Sequence, residues 1–236
     1  MDKKVMPAIE NARKIWGTGI WSWPIIGQSW AKAGCIVNLQ TLAELLRSGE
    51  LDIGTDGSVI IGDGTFSWVI RADGETVWEG YGYVTGSSDQ GTSYRAELFG
   101  AAAALLFLKL VCKASDITAC TSVVRTHCDN STVVLRSCGA KFPLRGTGQH
   151  LAADFDIESV LRDLYQTIPF NPTPLWVKGH QDDELPYELL STPAQLNVLA
   201  DELGVNPNHG IRMRPVSTHR RDQLRRLAGF VDPSQR

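Results

Sequence analysis

The sequence predicts a mixed α/β domain in which an antiparallel three-strand meander leads into helices alternating with parallel strands. Three observations carry that expectation. Residues 51–84 contain three strand-like runs, two of them joined by the hairpin signal Asp73-Gly74. A stretch from about Ser93 to Lys113 has the length and apolar content of a buried helix. Two later short apolar runs, Val123–Cys128 and Leu175–Val177, are separated by helical sequence, as a parallel pair joined by a crossover requires.

The elements follow in order. The first thirty residues hold four of the seven tryptophans (Trp16, Trp21, Trp23, Trp30) among Gly and Pro, and read as an irregular segment packed on the main body. Leu39 to Leu46 has helical spacing, and Ser48-Gly49 ends it. Leu51 to Asp56 reads as a strand ending in the turn signal Asp56-Gly57, Thr65 to Ala72 as a second strand, and Thr76 to Val84 as a third. In the long helix, Gly100-Ala101-Ala102-Ala103-Ala104 is small enough to lie close against a sheet. Val123–Cys128 is the fourth strand, Asn130 to Arg136 a short helix, Ile157 to Ile168 a helix, and Leu175-Trp176-Val177 the fifth strand. Thr192 as N-cap with Pro193 in the first turn opens a last helix, and Gly204 stops it. Three regions result: an N-terminal Trp-rich segment over 1–50, a domain over 51–205, and a basic C-terminal tail over 206–236.

Hydrophobic residues at 43% and charged residues at 21% are ordinary for a globular protein with a full core. No run of 18 apolar residues exists, so no membrane span is expected. The opening Met1-Asp2-Lys3-Lys4 is followed by no signal-peptide core, which leads to the expectation of an intracellular, non-secreted protein. Cysteines 35, 112, 120, 128 and 138 form no C-x-x-C pair, which argues for reduced thiols and against a zinc site. The net charge of −3 is uneven: residues 1–32 carry +3, residues 210–236 carry +5, and the middle carries −11. An acidic body is unusual for a binder of nucleic acid, where phosphate contacts supply much of the affinity. Composition alone favours a solvated surface with frayed tails; the functional readings are that the basic ends help hold a substrate or that metal ions neutralise part of the body.

Four acids fall at equivalent places in this reading. Asp56 closes the first strand, Glu97 lies just inside the long helix, and Asp129 follows the fourth strand. Asp201 is on the last helix, with Asn197 one turn before it on the same face. Groups beyond strand ends and helix starts of an open α/β sheet converge on one cleft. Clustered carboxylates repel one another unless cations lie between them. Two Mg²⁺ ions about 3.5–4 Å apart are the usual arrangement in phosphodiester cleavage, and Mg²⁺ prefers oxygen ligands. Each acid alone has a plainer reading: a turn at Asp56-Gly57, a dipole-favoured charge at Glu97, a helix cap at Asp129, and an exposed helix face at Asp201.

The local sequences around these acids decide between the readings. Thr55-Asp56-Gly57-Ser58, Tyr94-Arg95-Ala96-Glu97-Leu98, Cys128-Asp129-Asn130, Trp176-Val177-Lys178-Gly179-His180 and Asn197-Val198-Leu199-Ala200-Asp201-Glu202-Leu203 together resemble the five motifs of type 1-like ribonuclease H, in order, over residues 51–205. The details Ser93-Tyr94-Arg95-Ala96-Glu97 and Gly179-His180-Gln181-Asp182-Asp183 look most like the ribonuclease H domains of retroelement reverse transcriptases.

The resemblance implies a ribonuclease H-like fold: a five-stranded mixed sheet, a three-strand meander plus two parallel strands, flanked by helices. It implies Asp56, Glu97, Asp129 and Asp201 as ligands of two Mg²⁺ ions, with Mn²⁺ able to substitute. It implies His180 in proton transfer or product release, and Gly57, Ser58, Ser93, Tyr94, Asn130 and Asn197 as substrate contacts, where 2′-hydroxyls distinguish RNA from DNA. The implied partner is an RNA/DNA hybrid, whose RNA strand is hydrolysed to 3′-hydroxyl and 5′-phosphate ends. A reverse transcriptase polymerase domain in the same polyprotein is a further implied partner.

Three departures from the family pattern stand out. His180 and Asp201 are 21 residues apart, about twice the compact separation, and the insertion carries Asp182, Asp183, Glu184 and Glu188. Ser93-Tyr94 replaces a polar amide pair. Residues 137–149 are too short and weakly charged for a basic protrusion that grips substrate, and the Arg-rich 212–226 stretch reads equally as a compensating grip or as a plain solvated tail. Two rival readings share the fold. One is integrase- or transposase-like strand transfer, which Lys178-Gly179-His180 and the Asn197-to-Asp201 spacing oppose. The other is a catalytically silent nucleic-acid-binding module of a polymerase, which acids at all four positions oppose.

Overall fold

A computed structural model describes residues 34–35, 39–60, 63–84, 92–137 and 154–205. The Trp-rich residues 1–33, the stretch 138–153 and the Arg-rich tail 206–236 lie outside the described residues. In chain order the elements are β1 (Gly34–Cys35), α1 (Leu39–Ser48), β2 (Glu50–Ile60), β3 (Asp63–Ala72), β4 (Glu75–Tyr83), α2 (Ser93–Ala114), β5 (Val123–Cys128), α3 (Ser131–Ser137), α4 (Phe155–Thr167), β6 (Asn171–Trp176) and α5 (Thr192–Val205). Single 3₁₀ turns at Gln181–Asp183 and Tyr187–Leu189 precede α5.

The strands form one sheet in the order β1-β4-β3-β2-β5-β6. β2, β3 and β4 are antiparallel, and β5 joins β2, and β6 joins β5, in parallel. Apart from the two-residue β1, which pairs with β4 at Glu79 and Trp78, this is the five-stranded ribonuclease H-like sheet that the motifs imply. The β3–β4 turn is the expected Asp73-Gly74, with φ of 51° and 78°, the positive pair that a tight hairpin needs.

The main core lies between the sheet and α1, α2 and α4. α2 is buried along most of its length because its small residues let it lie flat on the strands: Ala101 to Ala104 are all at most 5% exposed. Trp68 and Trp78 fill the core and pack against Phe107, each with ring centroids 5.0 Å apart. Leu42, Ala43 and Leu46 of α1 belong to the same cluster, so the core begins before residue 51. α5 covers the opposite face, where Leu196 and Ala200 pack on Val69, and the Ser67 hydroxyl donates to the Ala200 carbonyl at 2.5 Å.

Four sequence expectations are corrected. Asp56-Gly57 is not a turn: β2 continues through it to Ile60, pairing Asp56 with Ser67 and Gly57 with Phe66. The glycine serves close packing, since a Cβ at Gly57 would lie 2.2 Å from the Glu97 nitrogen of α2. The last parallel strand is longer than Leu175–Val177, starting at Asn171 despite Pro172 and Pro174. Among the described residues it pairs only with β5, and an edge strand tolerates proline where the missing N–H would face away from its neighbour. Gly204 does not stop α5, which runs to Val205, and Ser191 rather than Thr192 precedes its first residue, its carbonyl accepting the Gln195 N–H at 2.9 Å. No helix among the described residues is long and apolar enough to cross a membrane.

Candidate active site

The middle of β2, the start of α2, the end of β5 and α5 bring the four acids together. Asp56 comes from the middle of β2, Glu97 from the first turns of α2, Asp129 from the residue after β5, and Asp201 from α5. α2 is positioned for this by its cap: the Thr92 hydroxyl accepts the Arg95 N–H at 3.1 Å. The Arg95 guanidinium then forks onto Asp156 at 2.9 and 2.7 Å and reaches Asp154 at 3.2 Å, locking α2 to the start of α4. Gly57 and Gly100 let β2 and α2 approach; a Cβ at Gly100 would lie 3.0 Å from the Asp56 carbonyl oxygen.

Asp56 and Glu97 are buried, 7% and 5% exposed, while Asp129 and Asp201 are half-buried. Ligand atoms of Glu97, Cys128 and Asp129 all lie within 4.8 Å of one another. Burial raises the Asp56 pKa, and the charges of Asp201 and Asp129 raise it further. Burial likewise raises Glu97, with Asp56 and Asp129 adding to it. Asp201 is raised by burial first, while His180 pulls it back down. The Asp129 charge acts on each of the other three acids, which ties the four into one electrostatic unit. His180 is exposed, sits at a left-handed φ of 51°, and stands close enough to ease the charge on both Asp56 and Asp201. The loop before it is tight against the site: a Cβ on Gly179 would lie 2.5 Å from Asp129 Oδ2.

The donor set fits a hard divalent cation. It is dominated by carboxylate oxygens whose repulsion a cation would relieve. The Cys128 thiol, which sequence reasoning did not single out, lies inside the cluster and donates to Glu97 Oε2 at 3.5 Å. Burial, then the Glu97 charge, push its pKa well above the ordinary thiol value. Its place directly before Asp129 in a buried strand was the available signal.

The expected substrate contacts are distributed less uniformly. Gly57 is packed under α2, and Ser58 is half-buried two residues beyond Asp56 on the same face of β2. Ser93 is exposed at the first position of α2. Tyr94 faces α4: its hydroxyl donates to Glu158 Oε1 at 2.6 Å, and Arg136 lies over its ring at 5.4 Å while also pairing with Glu158. Asn130 caps α3, its Oδ1 accepting the Thr132 and Val133 N–H groups at 3.1 and 3.3 Å. Asn197 is buried one turn before Asp201, and its Nδ2 has no hydrogen-bond partner. The long 181–195 insertion is anchored at Tyr187, whose hydroxyl accepts from Arg71 at 2.7 Å and whose carbonyl accepts from Gln195 at 3.0 Å. Asp182, Asp183, Glu184 and Glu188 remain exposed.

No family model and no curated protein matches the chain. Among solved structures it is similar to RNase H1 from the halophilic archaeon Halobacterium salinarum NRC-1, at 19% identity over 67% of this chain and 96% of that one, with a TM-score of 0.45. LC11-RNase H1 in complex with an RNA/DNA hybrid matches at 19% identity over 66% of this chain and 94% of that one, TM-score 0.45. The foamy viral protease-reverse transcriptase in complex with RNA/DNA hybrid matches at 11% identity over 75% of this chain and 21% of that one, TM-score 0.41.

Proposed function

We propose that this chain is a ribonuclease H, which hydrolyses the RNA strand of RNA/DNA hybrids. The observation that carries the reading is the convergence of Asp56, Glu97, Asp129 and Asp201 from four elements into one mutually repelling, partly buried cluster. Such a cluster opposes folding, and a purely structural role gives no compensation for it. These four residues would hold two Mg²⁺ ions, or Mn²⁺ in their place. Held there, they would supply activation of the attacking water and stabilisation of the leaving oxygen.

The side chains around them supply the rest. Arg95, by clamping α2 onto α4, holds Glu97 at a fixed depth. Gly179 lets the His180 loop lie against Asp129, so that the imidazole reaches the leaving group and moves a proton there. Ser58 offers a hydroxyl toward the RNA strand on the same face of β2 as Asp56, and the buried, unpartnered Asn197 amide must be uncovered to reach it. Ends of 3′-hydroxyl and 5′-phosphate type, and a role in reverse transcription beside a polymerase domain, complete the reading.

Cleavage of a fluorescently labelled hybrid in Mg²⁺ or Mn²⁺, beside duplex RNA, duplex DNA and single strands, tests it. Hybrid-only cutting of the RNA strand, lost in Asp129→Asn, is the expected result. Binding without cutting under either metal would leave a silent module, and cutting or joining of DNA a strand-transfer enzyme; each outcome defeats the proposal.

A further inference from the structure

We infer that Trp176 serves the site in two ways: its indole N–H fixes the main chain of Asp129, and its exposed face stacks on a strand of the bound hybrid. The inference rests on the hybrid-binding reading above. Trp176 ends β6 in register with Cys128 at the end of β5. Parallel partners in register share a face of the sheet, so the indole is on the side where the Cys128 thiol meets Glu97. Its Nε1–H donates to the Asp129 carbonyl oxygen at 2.9 Å, yet the residue is 58% exposed.

The contrast with the other described sheet tryptophans is informative. Trp68 and Trp78 are buried in the core and have indole nitrogens without a hydrogen-bond partner. There the rings serve packing, and the polar atom goes unused. At Trp176 the relation is reversed: the polar atom is engaged by a site residue and the apolar ring is left in water. Leaving so large an apolar surface exposed forgoes its burial free energy, which points to a surface that becomes covered by a ligand. Hydrogen bonding at one end already restricts the rotamer, so stacking orders little further side-chain freedom.

The ligand class follows from the position. The ring stands at the rim of a carboxylate cluster suited to phosphodiester chemistry; in a base-paired hybrid the base faces are covered by their neighbours, so the face open to the ring is the row of sugars along a strand, which is the same irrespective of sequence. One anchored ring supplies sequence-independent grip beside the scissile position. In a described surface that is rich in acids, such a contact adds affinity without a phosphate-binding cation.

The two roles separate in two variants. Trp176→Phe keeps an aromatic face and removes the N–H; Trp176→Ala removes both. Steady-state cleavage gives kcat and KM, and anisotropy of a labelled hybrid with Ca²⁺ in place of Mg²⁺ gives affinity without relying on turnover. Trp176→Ala is expected to weaken hybrid binding and raise KM by about tenfold, the order expected when one covered apolar face is lost. Trp176→Phe is expected to hold affinity within about twofold while kcat falls several-fold, as Asp129 loses its tether. Unchanged KM and affinity in both variants, with kcat falling only in proportion to folded protein, would overturn the inference and leave the nuclease reading intact. If wild-type protein binds hybrid but never cuts it, the nuclease reading falls, and loss of binding in Trp176→Ala still supports stacking. Wild-type protein that does not bind hybrid overturns both.

Discussion

At Gly179 the chain runs so close to Asp129 that a single methyl group would lie 2.5 Å from Oδ2. The glycine is therefore needed for clearance beside the site, since its own conformation is not one of the positive-φ positions. Gly179→Ala must move either the His180 loop or the carboxylate. A misplacement of about 1 Å near reacting groups costs on the order of a hundredfold in rate. We predict such a loss in kcat for Gly179→Ala with a Tm within a few degrees of wild type; a fully active variant would show that the close approach is not used.

Asp52, on the same strand as Asp56, has the opposite electrostatic situation. Burial alone would raise its pKa, but hydrogen bonds from His127 at 2.8 Å and Arg125 at 2.8 Å outweigh burial and hold it below the ordinary carboxylate range. With the folded value below the unfolded value of about 3.9, the ionised group stabilises the fold above that pH. The contribution fades as pH falls from about 4 toward the depressed value. Asp52→Asn should accordingly lower the urea midpoint at pH 7 and narrow the gap between the pH 7 and pH 3 midpoints. Parallel midpoint-versus-pH curves for the two proteins would contradict this.

At the level of elements, β2 and α2 are the pair on which the site depends. A Cβ at Gly57 would meet main-chain atoms of Ala96 and Glu97 at 2.3 and 2.2 Å, and backbone in a helix cannot swing aside as a side chain can. Overpacking of this kind costs about 1–3 kcal/mol or more. Gly57→Ala is therefore expected at or above the upper end, read as a lowered denaturant midpoint. Retained wild-type stability would mean that α2 slides on the sheet.

The same pair shows how the sequence was legible and where it was not. The residues of β5, the Asp73-Gly74 hairpin and the long helix were readable because periodicity and turn chemistry are local properties. Asp56-Gly57 looked like a turn for the same local reason, while the need for a glycine arose from a helix that follows it by some forty residues. Pro172 and Pro174 hid most of β6, because only the finished sheet reveals that the strand is an edge. The anchoring of the 181–195 insertion by Arg71, Tyr187 and Gln195 joins three distant positions, and no spacing rule exposes it. The four acids were identifiable from their motifs, whereas Cys128 and Trp176 acquire meaning from the partners that folding gives them.

Across the whole molecule, the acidic cluster makes stability depend on both pH and cations. The folded pKa values of Asp56, Glu97 and Asp201 are raised, through burial first and neighbouring charges after it, with His180 offsetting part of the effect. A raised carboxylate pKa favours the fold while the group is protonated. That advantage is present below the unfolded value of about 4 and is lost as pH rises through the folded values. Metal-free protein should therefore lose stability as pH rises from about 4 through neutrality. Mg²⁺ should raise Tm more at pH 8 than at pH 5.5, because bound ligand stabilises by mass action and protonation competes with it. Asp56→Asn should raise the metal-free Tm at pH 8 and remove most of the Mg²⁺ response. An equal Mg²⁺ effect at both pH values in wild type and variant would indicate cation binding elsewhere.

The most direct measurement is RNA-strand cleavage of one hybrid in Mg²⁺ by wild type and by Asp56→Asn, Glu97→Gln, Asp129→Asn and Asp201→Asn, each confirmed as folded. If the four acids act as one metal-binding unit, every variant should lose at least about a hundredfold in rate, beyond the 10–100-fold typical of residues that only support a ligand. Cleavage that survives substitution of any two of them would contradict a shared centre.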